Sequence, residues 1–188
     1  MFQKNLSWNG AFTITTWVKN PEISPKEEVL VSWCNRFIYG LANSYNAMVY
    51  NNCPYVAAIQ LDGHFDMPYS NLPTTDQRHH IVLTFDGVME KIYIDGHLDN
   101  SQKMNLSSAT EDAEIIIGAS DIGEYFSGLI SSFQMYDYAL NEEEISQIKK
   151  VHFHKIIKKK ARSRFHLNEL LDLENQFINW NTLDSVKD

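Results

Sequence analysis

Aromatic and amide side chains are interleaved through residues 33–69 in a mixture suited to holding a sugar. Trp33, Phe37, Tyr39, Tyr45, Tyr50, Tyr55, Phe65 and Tyr69 stand among Asn35, Arg36, Asn43, Asn46, Asn51 and Asn52. A ring of this kind stacks on the apolar C–H face of a sugar while amides satisfy its hydroxyls. Extended backbone would place Trp33, Asn35, Phe37 and Tyr39 on one face. Trp33, Tyr39, Tyr45 and Tyr69 are therefore the stacking candidates, with Asn35, Asn46 and Asp66 as polar partners. The same rings equally suit core packing between two sheets. One stacked ring and a few hydrogen bonds in competition with water would hold a glycan weakly, with Kd in the micromolar to millimolar range, or about −4 to −8 kcal/mol.

Acid–base chemistry has weaker support. Asp62 and Asp66 flank His64, but in a segment beside Gly63 where acids also serve as plain turn residues. Glu90 and Asp95 bracket a short alternating run and fall at its ends. His79 and His80 are adjacent, so on a strand their rings face opposite ways and cannot share a metal. His152 and His154 could share one only in an extended segment. The seven histidines show no zinc spacing, and there is neither a Gly-rich phosphate loop nor a Ser-His-Asp order. The expectation is a protein that is not an enzyme, with no catalytic residues.

The elements that must position these groups are strands. Residues 79–85 alternate with period two, setting Ile81, Leu83 and Phe85 on one side. Asp86-Gly87 and Asp95-Gly96 bound the alternating run Lys91–Ile94, and Asp-Gly between such runs signals hairpins because both turn residues must tolerate positive φ. Ile115–Ile117 reads as a strand buried on both faces and ending at Gly118. Phe126–Tyr138 reads as a long strand, followed by a helix start at Asn141 with Glu142, Glu143 and Glu144 in its first turn. Ile145, Ile148, His152, Ile156 and Lys159 continue at helical spacing, so Glu142–Arg164 is expected to be largely helical. Leu167, Leu170, Leu171 and Glu174 predict a second striped segment over Leu167–Phe177.

Charge divides the chain. Residues 1–148 carry seven Lys or Arg against nineteen Asp or Glu, whereas 149–164 carry eight basic residues and no acid. An acidic body repels nucleic acid and anionic membranes at long range, and the basic run reads as a solvated helix or connector. No run of about eighteen apolar residues is present for membrane insertion. Residues 1–148 thus form one expected domain and 149–188 a basic, then apolar, helical tail or linker. Cys34 and Cys53 would lie opposite each other in a hairpin of Trp33–Gly40 with Asn46–Asn52, as a cross-strand disulfide or as two free thiols. Asn5 and Asn105 begin Asn-x-Ser sequons.

The pattern in 79–145 resembles the second half of a laminin-G-like, concanavalin-A-like lectin/glucanase jelly roll. His79, His80, Thr84, Asp86, Gly87, Tyr93, Asp95, Gly96, Ile117, Gly118, Phe126, Gly128, Ile130, Tyr136, Ala139, Leu140 and Glu143–Ile145 carry the resemblance, and Ala11–Lys19 is similar to the family's opening strand. Arg78 stands where the family usually has Trp. The resemblance covers about residues 8–148. It implies an all-β, antiparallel two-sheet jelly-roll sandwich with a C-terminal helical extension. It also implies a noncatalytic carbohydrate-binding or adhesion module of a larger extracellular protein. The alternative is a protein-interaction or spacer module that docks a partner or neighbouring domain through the tail. Glycanases on this jelly roll carry Glu-x-Asp-x-x-Glu on one strand, and no such spacing occurs here, which leaves a glycoside-acting enzyme a distant third. Calcium is the cofactor the resemblance implies, with Asp121 and Glu124 as ligands in the loop before the Phe126 strand. Met1–Trp8 is polar, unlike a signal peptide, so a secreted setting would make the chain a mature form or a domain of a longer protein. Partners are expected to be a glycan or a protein, with neither nucleic acid nor membrane insertion.

Overall fold

The computed structural model describes residues 10–21, 28–33, 46–51, 56–60, 66–104, 114–150 and 163–166. They form two antiparallel sheets. One has the strand order β10-β1-β6-β7-β8, from Leu129–Tyr136 (β10), Phe12–Lys19 (β1), Arg78–Phe85 (β6), Met89–Ile94 (β7) and His97–Lys103 (β8). The other runs β11-β9-β2-β3-β4-β5, from Ser163–His166 (β11), Glu114–Ile117 (β9), Glu28–Trp33 (β2), Asn46–Asn51 (β3), Val56–Gln60 (β4) and Met67–Pro68 (β5). The sandwich core lies between them and includes Ile14, Leu30, Met48, Ile81, Leu83, Phe85 and Ile92. The expected side of β6, with Ile81, Leu83 and Phe85, is the one that faces this core.

Both Asp-Gly pairs make their turns, by different means. At 95–96 both residues are left-handed, Asp95 at φ 53 and Gly96 at φ 82, as a two-residue hairpin turn requires. At 86–88 only Gly87 is left-handed, at φ 98. There the Asp86 Oδ1 accepts the N–H groups of Val88 (2.9 Å) and Met89 (2.7 Å) and closes the turn with its side chain. Those two bonds stabilise the charged carboxylate and lower its pKa.

The helix α1, Glu142–Lys150, starts where expected. Asn141 Oδ1 accepts the Glu144 N–H (3.0 Å) and Glu144 Oε2 accepts the Asn141 N–H (2.8 Å), a reciprocal cap at the helix N-terminus. Its approach is fixed by Thr13, whose hydroxyl donates to the Tyr138 carbonyl and accepts the Leu140 N–H, each at 2.8 Å. Leu140 and Ile145 then pack on Val82 and Tyr93, so the helix covers part of the outer face of the five-stranded sheet.

Four expectations need correction. The final strand covers Leu129–Tyr136 and not Phe126–Tyr138, because Phe126 turns inward against Tyr50 before the strand begins. The strand that pairs with Asn46–Asn51 is Glu28–Trp33, and residues 34–40 of the expected first strand lie outside the described residues. Its register sets Trp33 opposite Asn46 and Glu28 opposite Asn51, eight residues away from the register that would pair 34 with 53. The cross-strand disulfide loses its geometric basis, and Cys34 and Cys53 lie outside the described residues. Finally, Ser163 and Arg164 are not helical. They belong to β11, which pairs Ser163 with Ile117 and His166 with Glu114 and occupies the open edge of β9. The sheet thereby takes a strand from beyond residue 148, the expected domain boundary. The segment Leu167–Phe177 lies outside the described residues.

Gly128 marks the tightest approach between β1 and the start of β10. A Cβ there would sit 2.2 Å from the Lys19 carbonyl oxygen and 2.7 Å from the Phe126 ring. Gly87 has nothing within 4 Å of such a Cβ, but its φ of +98° disfavours any side chain. Gly128→Ala is expected to cost about 3 kcal/mol, since a backbone atom must move, and Gly87→Ala about 1 kcal/mol. Urea midpoints at unchanged slope measure both, and equal costs would contradict the account.

Candidate functional site

The sequence-derived binding face does not form from the described residues. Trp33 is 2% exposed and meets Phe12 edge-on, with centroids 5.7 Å apart. Tyr69 is 7% exposed and donates its hydroxyl to the Val49 carbonyl at 2.6 Å. Asn46 is 5% exposed, at the start of β3. These three are structural side chains and cannot stack on or bind a ligand from solvent. The reason is the β2 register, which turns Trp33 into the sandwich beside Ile115 and Met48. Asp66 is half-buried, just before β5. Asn35, Tyr39 and Tyr45 lie outside the described residues, as do Asp62 and His64.

What the described chain does assemble is a rim of connections at one end of the sandwich. Four pieces meet there: the end of β1, the crossover 69–77, the turn 95–96 and the connection 118–128. The last is a tight hairpin of its own. Ser120 N–H donates to the Glu124 carbonyl (2.9 Å), Gly123 N–H to the Ser120 carbonyl (3.2 Å) and Phe126 N–H to the Gly118 carbonyl (3.0 Å). The Ser120 hydroxyl accepts the Glu124 N–H at 3.1 Å, and Gly123 supplies the left-handed φ of 93°. Ile122 (49% exposed) and Tyr125 (40%) are exposed on this hairpin, the Tyr125 ring lying over Gly123. Two buried anchors hold its base. Phe126 packs on Tyr50, and Glu28, 2% exposed, accepts the Ser127 N–H (2.7 Å) and hydroxyl (2.9 Å).

The crossover 69–77 is fixed to both sheets. Tyr50 donates its hydroxyl to the Thr74 carbonyl at 2.7 Å, and burial pushes that phenol up to about 12, keeping it a donor. Asp99 accepts the N–H groups of Ser70 (2.7 Å) and Asn71 (2.9 Å). Exposed Asp76 sits at φ 62, donates its N–H to the Asn20 carbonyl and pairs loosely with half-buried Lys19 at 3.4 Å.

Asp95 ties the rim together. Its Oδ2 accepts His79 Nδ1–H at 2.7 Å and its Oδ1 accepts the His80 N–H at 3.0 Å. Lys149, in the last turn of α1, donates to its carbonyl. The two histidine rings face opposite ways, as adjacent strand residues must. His79 Nε2 lies 3.0 Å from the Thr74 hydroxyl. The His80 Nε2 is 2.6 Å from the Thr15 hydroxyl, and its ring stacks on Trp17 at 5.1 Å. Burial pushes the His80 pKa down to about 4; the Asp95 charge opposes that shift and Lys149 reinforces it. His80 is therefore neutral at pH 7 and part of the fold. In the sequence His79, His80 and Asp95 stood out singly and not as one hub, and the exposed Ile122–Tyr125 pair did not stand out.

Asp121 and Glu124 do share the hairpin, as expected. Among the described residues no three His, Cys, Asp or Glu side chains converge on a metal position. The carbonyls of Ser120 and Glu124 already accept backbone hydrogen bonds within the hairpin.

Residues 2–146 match the laminin-G family model of the concanavalin A-like lectin/glucanases superfamily. No curated protein matches the chain in sequence. Among solved structures, domain 4 of AbnA, an extracellular arabinanase from Geobacillus stearothermophilus, in complex with arabinotriose, superposes with a TM-score of 0.57. Sequence identity is 16%, covering 77% of this chain and 68% of that one. Trypanosoma rangeli sialidase in complex with the inhibitor DANA gives a TM-score of 0.52 at 15% identity, over 76% of this chain and 23% of the sialidase. The chain thus spans under a quarter of the sialidase's length. At these identities the likeness is one of fold.

His80 makes stability depend on mild acid. The unfolded chain takes up this proton near pH 6.5 and the native state only near pH 4, so stability should fall as pH drops through that window, by on the order of 3 kcal/mol in all. Urea midpoints at pH 7, 5.5 and 4 read this, and His80→Gln should flatten the profile. An unchanged slope in the variant would show that another group is responsible.

Proposed function

The chain belongs to the concanavalin A-like lectin/glucanases superfamily, and from that premise we propose that it is a noncatalytic recognition module of a larger protein. Both sheets act as structural layers, and contact is made at the loop rim around the Gly118–Phe126 hairpin. The partner there is a protein surface or a neighbouring domain. The observation that carries this reading is the burial of Trp33, Asn46 and Tyr69, which removes the described part of a sugar-binding sheet face. Exposed Ile122 and Tyr125, on a hairpin held by its own hydrogen bonds and a buried carboxylate, support the choice of rim. A rigid aromatic beside an aliphatic side chain is a surface that a protein partner can bury at little entropic cost.

A second reading has its own support. Tyr125 lies next to Glu124 and four residues from Asp121, so the hairpin offers one ring and acidic acceptors to a sugar's hydroxyls. The arabinanase domain in complex with arabinotriose shares the fold. A glycan held there would still be bound weakly, at about −4 to −8 kcal/mol, because one ring stack supplies no more.

A broad glycan panel probed with the full chain, with and without calcium, separates the two readings. The first expects no binding, and carboxylate-directed cross-links from Asp121 and Glu124 to the rest of the parent protein. A glycan signal that disappears in Tyr125→Ala, at an unchanged unfolding midpoint, would establish the sugar reading in its place.

A further inference from the structure

Among the described residues, strands β2, β3 and β4 of the six-stranded sheet bury their outward side chains as well as their inward ones. Alternation and register put Val29 (0% exposed), Ala47 (0%), Val49 (0%) and Ile59 (3%) on the side away from the sandwich core, with Val56 (6%) in the same cluster. Ile116 (5%) and Ser32 (0%) extend the row, since Ile116 pairs with Ser32 and Ser32 with Ala47. Among the described residues the one helix, α1, packs on the other sheet and cannot account for this burial.

We propose that the occupant of this face is the chain's own C-terminal segment, residues 167–188. The inference rests on the reading of the sheets as structural layers and names what completes one of them. Three observations carry it. First, β11 pairs with β9 at the sheet's edge, so residue 167 leaves directly beside the face. Second, β11 runs parallel to β2, because both are antiparallel to β9, and its end at His166 is level with the Trp33 and Asn46 end of β2 and β3. From β11 to β4 the sheet is four strand spacings wide, about 19 Å. A helix over residues 167–188 would be about 33 Å long, more than enough to cross it. Third, Leu167, Leu170, Leu171, Phe177 and Ile178 recur at helical spacing and give the apolar stripe such a face needs. The face itself is built of Val, Ala and Ile, which make a smooth surface for a helix to lie on.

The test is hydrogen exchange by mass spectrometry on the full chain and on its Leu170→Asp/Leu171→Asp variant. The docked tail predicts exchange at least about tenfold faster in β3 and β4 of the variant, with β6 and β7 unchanged, because only the covered sheet loses its layer. Equal protection of β3 and β4 in both proteins would overturn the proposal. If the charged pair deprotects every strand, Leu170→Ala/Leu171→Ala decides by the same comparison, since it removes apolar area without burying charge. Rim contact is read independently through Tyr125, so Tyr125-dependent glycan binding would sink the protein-partner reading while leaving this one standing.

Discussion

Both sheets of this molecule bury apolar side chains on both faces, and most of its architecture follows from that. A two-layer sandwich satisfies only the inner faces, through Ile14, Leu30, Met48, Leu83 and Ile92. The outer sides, with Val82 and Tyr93 on one sheet and Val29, Ala47 and Val49 on the other, remain to be covered at roughly 25 cal/mol per Å² of apolar surface removed from water. On the five-stranded sheet α1 does so, steered by the Thr13 hydroxyl and capped at Asn141. The sandwich is better described as a two-sheet core with an additional layer that α1 supplies on one side.

In the proposed reading, this layering moves recognition to the ends of the strands. A sheet face under a packed layer cannot also receive a ligand, so the connections at the rim are what the fold leaves accessible. Those connections are held by polar anchors. Asp95 accepts from both histidines' positions, Asp99 from the 70–71 backbone and Glu28 from Ser127, each a charged acceptor bonded to donors of a neighbouring segment. Charge-assisted bonds of this kind are among the stronger ones, and they give loops the definition that core packing gives strands.

Local patterns were legible in the sequence and long-range register was not. Period-two alternation found β6 and β7, Asp-Gly found both turns, and the acidic first turn found α1, because each signal is complete within a few residues. The β2–β3 pairing failed for the converse reason. Its partners are joined through residues 34–45, and nothing within either strand specifies which residues will face one another. The error then spread to function. A strand placed at 33–40 makes Trp33 an exposed ring, whereas a strand ending at Trp33 makes it core. Arg164 shows a related limit, since a basic run at helical spacing carries no mark of the edge strand it joins. Gly128 and Thr13 also took their roles from distant neighbours, Lys19 and Leu140, that only the fold brings near.

The pairing of β11 with β9 also orders events in time. Strands β2 to β10 are all synthesised before residue 163, so β9 has its β2 partner early while its other edge still presents unpaired N–H and C=O groups. That edge carries Ile115, Ile116 and Ile117, an apolar and β-branched run of the kind that templates association with a second chain. It is closed only by residues made after every other strand of both sheets. A nascent or C-terminally clipped molecule would therefore carry a near-complete sandwich with an adhesive margin.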